Sequence, residues 1–249
     1  MKRYYTCHNK LMKMAILPLL MGLAIHGSVF AYDFFYWDHG TTGHESALYG
    51  AELSEKPLIL YFHVQKCRWC EELNDSYLAK EEVEDFLLEM YKVEINPERG
   101  EDEIALTSEY GIKRYPAFLV SIPGFEVEPQ RVHPFAKDQA MSVEEFLQTI
   151  KERIAHIYSA KAYKFFKSND YETSLKYYQL ALDSDPENLY VLHAMGIIHE
   201  RIGIEKRNLE SFLDAEEKFI EALEIDPTHK DSQAALENVQ KNIKILKEN

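Results

Sequence analysis

The strongest constraint on the fold is the junction PLILYFHVQKCRWC at residues 57–70. A proline opens an apolar run of strand length. Such a run, lacking polar alternation, is expected to be buried on both faces at the centre of a mixed sheet. Cys67 and Cys70 follow within a few residues, and a helical stretch is expected from about Trp69 to Leu78. The junction therefore predicts a buried strand, a C-x-x-C step and a helix in immediate succession.

The alternation continues downstream. KEEVEDFLLEMY places Val83, Phe86, Leu87 and Met90 at helical spacing, and YKVEIN reads as the next strand. A charged loop around Pro97 and Gly100 leads into the helix EDEIALTSEYG, with Gly111 as its stop. IKRYPAFLVSI is strand-like and ends in a turn at Pro123-Gly124. SVEEFLQTIKERIAHIY is a helix whose start carries a capping box, Ser142 with Glu145. Strands alternating with helices imply an α/β layered domain, assigned to residues 53–155, after an N-terminal extension at 32–52. Each region is expected to have its own core.

From residue 156 to 249 the pattern is purely helical. SLKYYQLALDSDPEN and AEEKFIEALEIDPTH place Ser174, Tyr178, Ala181, Pro186 and Ala215, Phe219, Ala222, Pro227 at the same steps. Small residues let helices cross closely, an aromatic fills the groove and a proline closes the pair. The pattern resembles the tetratricopeptide repeat. Ala162 and Phe165, then Met195 and Gly196, fit the preceding first helices. The two units lie 41 positions apart against about 34 for the family. The surplus of 7 falls in RIGIEKRNLESFLD, so an enlarged turn is expected there. KDSQAALENVQKNIKILKEN supplies a polar capping helix. Two repeats and a cap form a short array, expected to lean on the neighbouring domain or on another chain. The family's groove positions map onto Tyr163, Phe166, Tyr190, His193 and Ile197. These residues either bind a partner or pack on the α/β domain.

The chain's start bears on what the cysteines can mean. Lys2, Arg3, Lys10 and Lys13 precede the apolar run MAILPLLMGLAIHG and the exit SVFA, with Val29 and Ala31 at the recognition positions. This order reads as a secretory signal peptide at 1–31. The run is shorter than the roughly 18 residues that span a bilayer; an uncleaved membrane anchor is the alternative. Export, to a periplasm, is expected, with no membrane span after cleavage. Cleavage removes Cys7 and leaves Cys67 and Cys70 as a pair that can persist as a disulfide. It also takes the net charge from −14 to −18, a surface that repels nucleic acid and anionic lipid.

The pair admits redox chemistry, a structural disulfide or a metal. A bridge closing so small a ring constrains little chain entropy, which weakens the structural option. A metal would need His63 as a further ligand, with thiolates favouring copper(I), and His133 could approach from elsewhere. No cofactor is otherwise called for. At the start of a helix, flanked by Lys66 and Arg68, Cys67 is expected to be the more acidic thiol; Glu71 and Glu72 oppose this.

The buried strand, the C-x-x-C helix start and the later Tyr115-Pro116 step entering a strand together resemble the thioredoxin family. The resemblance covers residues 53–155. It implies Cys67 as nucleophile, Cys70 as resolving thiol and a cis Pro116 beside them. The chain departs from the family at Lys66, at Arg68-Trp69 between the cysteines, and at Tyr61, where a buried acid is usual. Trp69 serves either as an apolar platform for substrate or as helix-start packing, and Tyr115 as a gate or as core filler. The expected fold is thus an α/β thioredoxin-like domain, a mixed sheet flanked by helices, followed by an all-α array of tetratricopeptide hairpins. The expected function is a thiol:disulfide oxidoreductase acting on client proteins that bear thiols or disulfides, supplied by a membrane electron donor or oxidant. A scaffold binding proteins through both regions, and a copper-delivery protein, are the alternatives.

Overall fold

The computed structural model describes residues 36–135 and 140–248; the expected leader, with Cys7, Val29 and Ala31, lies outside them. In chain order the first region comprises β1 (Asp38–His39), α1 (Gly40–Ser54), β2 (Leu58–Phe62), α2 (Arg68–Leu73), α3 (Glu81–Leu87), β3 (Tyr91–Ile95), α4 (Glu101–Glu109), β4 (Ala117–Ser121) and β5 (Gln130–Val132). The strands form one sheet of order β1-β3-β2-β4-β5. β1, β3 and β2 run parallel, and β4 and β5 are antiparallel to their neighbours. This is a thioredoxin-like layered sheet.

β2 sits at the centre, and all five of its residues are buried, as a run without alternation requires. Ile59 and Tyr61 belong to one face, with Phe118, Val120, Phe146 and Ile150. On the other face Phe62 meets the Tyr110 ring, and His44 of α1 reaches the Tyr110 hydroxyl at 2.8 Å. Residues 40–52, which the sequence assigned to an extension, thus form most of α1, the helix that covers this face. Gly111, at φ +61, lets the chain turn sharply after α4.

α5 (Val143–Lys167) opens on the expected capping box. Ser142 Oγ accepts from the Glu145 amide at 3.1 Å, and the Ser142 amide donates to Glu145 at 2.7 Å. Its first half buries Phe146 and Ile150 against the sheet, and its second half runs on into the helical array. The boundary expected at 155/156 therefore falls inside one continuous helix. The two regions also share a core: one buried cluster extends from Ile59 and Tyr61 through Ile154 and Tyr158 to Tyr177 and Leu192. Separate cores were expected because the hydrophobic pattern changes near residue 155; α5 absorbs the change by presenting different neighbours along its length.

The array continues with α6 (Tyr171–Ser184), α7 (Leu189–Lys206), α8 (Leu209–Ile225) and α9 (Lys230–Glu248). The enlarged turn is not there. α7 runs to Lys206, α8 starts at Leu209, and Arg207 makes the reversal in a left-handed conformation. The surplus lengthens the two helices instead. Seven residues are nearly two helical turns, so the insertion preserves which face is apolar. At the α7–α8 crossing, a Cβ on Gly196 would lie 2.5 Å from Phe219 Cε1, so only glycine fits.

The array does lean on the sheet region. The Tyr158 hydroxyl donates to the Glu55 carbonyl at 2.8 Å, and the Tyr177 hydroxyl donates to the Glu55 carboxylate. Phe125 meets both tyrosine rings edge-on, with the Lys161 ammonium 4.8 Å above it.

Candidate functional site

Lys66 adopts φ 52, a left-handed conformation that turns the chain from β2 towards α2. Cys67 then caps α2 in an extended conformation, and the Cys70 amide points at Cys67 Sγ, 3.2 Å away. The two cysteines are joined by a disulfide, with Cα atoms 5.2 Å apart. Their environments differ: Cys67 is half-buried, whereas Cys70 is 3% exposed. An incoming thiolate therefore meets Cys67 first. A thiolate formed there keeps the Cys70 amide as a hydrogen-bond donor, which favours the charged form.

Tyr61 lies beneath the pair. Its hydroxyl donates to the Cys70 carbonyl at 3.3 Å, steadying the first turn of α2. Burial, reinforced by the Glu94 carboxylate and only partly offset by Asn74, pushes its ionisation well above the ordinary tyrosine range. Tyr61 thus remains neutral and takes no proton from Cys70. Glu94, its register partner on β3, carries the charge on this face. It binds His39 Nδ1 at 2.7 Å, with Arg99 at 3.8 Å and His63 Nε2 at 3.9 Å. His63 stacks on Tyr61 at 5.1 Å between ring centroids. Its enclosed Nε2 makes no hydrogen bond among the described residues. Burial pulls its pKa below the usual value, against the opposing pull of Glu94. Among the described residues no three His, Cys, Asp or Glu side chains converge as a metal site.

The Tyr115–Pro116 peptide bond is cis, and β4 begins directly after it with Ala117 opposite Phe62, at the end of β2 from which the cysteine loop departs. Tyr115 is half-buried, and burial raises its pKa. A cleft of 390 Å³ opens here, lined by Trp69, Tyr115, Pro116, His133, Pro134 and Phe135. Trp69 is 51% exposed and rests on Phe135 at 5.0 Å between centroids. It is a wall of the cleft, so both possibilities for Trp69 meet in one residue: it packs, and it leaves a face open. His133, distant in sequence, does reach the site. Arg114 and Phe135 line the cleft as well, and sequence reasoning did not single them out. Arg114 stood beside the Tyr-Pro step; nothing local marks Phe135.

The five groove positions of the array behave differently from one another. Tyr163 and Tyr190 are 51% and 77% exposed. Phe166 lies beneath the Arg201 guanidinium at 5.1 Å and beside Tyr171. His193 is held by Phe219, His229 and the Ser232 hydroxyl, and Ile197 packs on the second buried cluster. Their neighbours lie within the array. The aromatics that meet the sheet region are Tyr158 and Tyr177 instead.

No family model and no curated protein matches this sequence. Among solved structures, a thioredoxin from Thermus thermophilus is 19% identical over 46% of this chain and 85% of its own, with a TM-score of 0.36. A DsbH oxidoreductase is 17% identical over 53% of this chain and 92% of its own, at 0.38. The Arabidopsis OM64 TPR domain is 19% identical over 40% of this chain and 78% of its own, at 0.31. The topology and helical hairpins described above are what place a thioredoxin-like sheet and a tetratricopeptide-type array in one chain.

Proposed function

We propose that the protein is an exported thiol:disulfide oxidoreductase that acts on client proteins through Cys67 and Cys70, with the helical array positioning a partner. The observation that carries this reading is the asymmetry of the disulfide: Cys67 is partly exposed, Cys70 is buried with its carbonyl bonded by Tyr61, and Trp69 between them lines an open cleft.

In the oxidising direction a client thiolate attacks Cys67 Sγ. The client–Cys67 bond forms as the Cys67–Cys70 bond breaks, and Cys70 leaves as a thiolate that takes up a proton. A second client thiolate then attacks the client sulfur of this mixed disulfide. The client disulfide forms, Cys67 departs as a thiolate, and the protein holds the two electrons the client has lost. The reverse sequence reduces a client disulfide, with electrons supplied by a donor at the membrane. Tyr115 and Pro116 border the place where the client chain would lie.

The test is trapping. Cys70→Ser should accumulate mixed disulfides through Cys67 that disappear on reduction. Absence of any trapped client, with full function in a Cys67→Ser/Cys70→Ser protein, favours the scaffold. The reduction potential gives direction: near about −120 mV for an oxidant, near about −270 mV for a reductant, and below about −300 mV for a closed structural bond.

A further inference from the structure

The cleft beside the disulfide differs in charge from the rest of this acidic chain. Among the described residues no carboxylate lines it, and Arg114 and His133 do. Four other clefts among the described residues carry carboxylates: Glu144, Glu145 and Glu152 along α5, Asp85, Glu89 and Asp183 beside Lys56 and Lys176 between the sheet and the array, Glu109 and Glu128 beside Arg131 near β5, and Glu221 and Glu224 on α8. In a protein with 42 acidic and 28 basic residues, a cleft lined by Trp69 of the C-x-x-C step, with no carboxylate among the described residues, stands apart.

The nearby cations are also uncommitted. Lys66, Arg68 and Arg114 are exposed and form no ion pair among the described residues. The Arg68 guanidinium instead lies 5.5 Å from the centre of the Trp69 ring. Of the neighbouring acids, Glu94 holds His39 and Glu72 accepts from Ser76, while Glu98 accepts from the Gln65 amide and its carboxylate acts, after burial, to raise the pKa of Tyr115. Glu71 is exposed on α2 but does not line the cleft. The lining is also aromatic and apolar: Trp69 packs on Phe135, and Tyr115, Leu73 and Phe118 complete it.

We infer that this cleft selects client segments in which an aromatic side chain and one or more carboxylates flank the reacting cysteine. The aromatic ring extends the Trp69–Phe135 contact, and the carboxylate meets Arg114 and Arg68, where charge complementarity speeds encounter. The inference rests on the oxidoreductase reading and specifies its substrate class.

The test compares four disulfide peptides of otherwise identical sequence, flanked by Phe and Asp, Phe and Lys, Ala and Asp, or Ala and Lys. Each is reacted with the reduced full-length protein. Every rate is divided by that of the same protein preparation with bis(2-hydroxyethyl) disulfide, which is uncharged. The Phe-Asp peptide should react about tenfold faster than Phe-Lys, and the advantage should shrink in 0.5 M salt, an ionic strength of about 0.5 M, where screening is short-ranged. Arg68→Glu/Arg114→Glu should reverse the charge preference, and Phe135→Ala should erase the preference for Phe over Ala while leaving that for Asp over Lys. Equal rates for all four peptides, or a preference indifferent to these substitutions, overturn the inference and leave the oxidoreductase reading standing. If neither these disulfide peptides with the reduced protein nor their dithiol forms with the oxidised protein react, both fall.

Discussion

The Tyr177 hydroxyl of α6 donates to Glu55 Oε1 at 2.5 Å, bonding the helical array to the residue that ends α1. Lys176 reaches the same carboxylate at 3.3 Å. Burial pushes the Glu55 carboxyl up, but the Tyr177 hydroxyl, Lys176 and Lys161 together outweigh it and hold it below the ordinary range. Tyr177 is pushed up to about 12, by burial and then by Glu55.

These shifts give the tie two pH limits. A carboxyl depressed on folding stabilises above its unfolded pKa of about 4.3 and loses that contribution as pH falls further. A phenol raised on folding stabilises below about 10 and loses that contribution as pH rises through its folded value. Tyr177→Phe should cost about 1.5 kcal/mol near pH 7, the low end for a bond to a charged and partly exposed group. Chemical denaturation of both proteins across pH should show the gap closing below pH about 4 and above about 11. A gap independent of pH would contradict the assignment.

After reduction, the two thiols should differ in reactivity. Cys67 is partly exposed and faces the Cys70 amide, whereas Cys70 is buried. Iodoacetamide at pH 7 should label Cys67 at least about tenfold faster than Cys70. Peptide mapping at partial modification reads the ratio, and preferential labelling of Cys70 would reverse the assigned roles.

Glu94→Gln should lower the pKa of His63 further. Burial already depresses it, and the Glu94 carboxylate is the first influence acting in the opposite direction; Arg99 and His39 also depress it, and Glu98 raises it. Histidine ring signals followed by NMR through pH 4–8, a range about the ordinary pKa, measure the shift. An unchanged or raised value would show that Glu94 does not govern this ring.

Gly196→Ala should destabilise the array, because the new methyl meets the Phe219 ring at 2.5 Å. Overpacking of this kind costs about 1–3 kcal/mol. Pairing it with Phe219→Leu should recover part of the loss, and a denaturation midpoint indifferent to both changes would refute the crossing.

Much of the sheet was legible because β2 and β4 are apolar runs bounded by prolines, and the helices carry clear caps at Ser142 and stops at Gly111. The cysteine pair and the Tyr-Pro step were equally plain. What the pattern did not reveal is where distant elements meet. β1 spans two residues, too short for periodicity to mark. Phe135 reaches Trp69 only through the return of β5, and Glu94 stands beside Tyr61 only because β2 and β3 pair in that register. The missing turn between α7 and α8 has a different cause: a seven-residue insertion keeps helical phase, so a gap in a repeat alignment is indistinguishable from longer helices.

α5 has a mechanical consequence. At 25 residues and about 1.5 Å per residue it is a strut of about 37 Å, with the sheet seated on one end and α6 on the other. A strut of this kind cannot yield in the middle without breaking helical bonds and opening the buried cluster on both sides. The two regions should therefore melt in a single calorimetric transition, and a load applied to the repeats should be felt at the sheet beneath the disulfide.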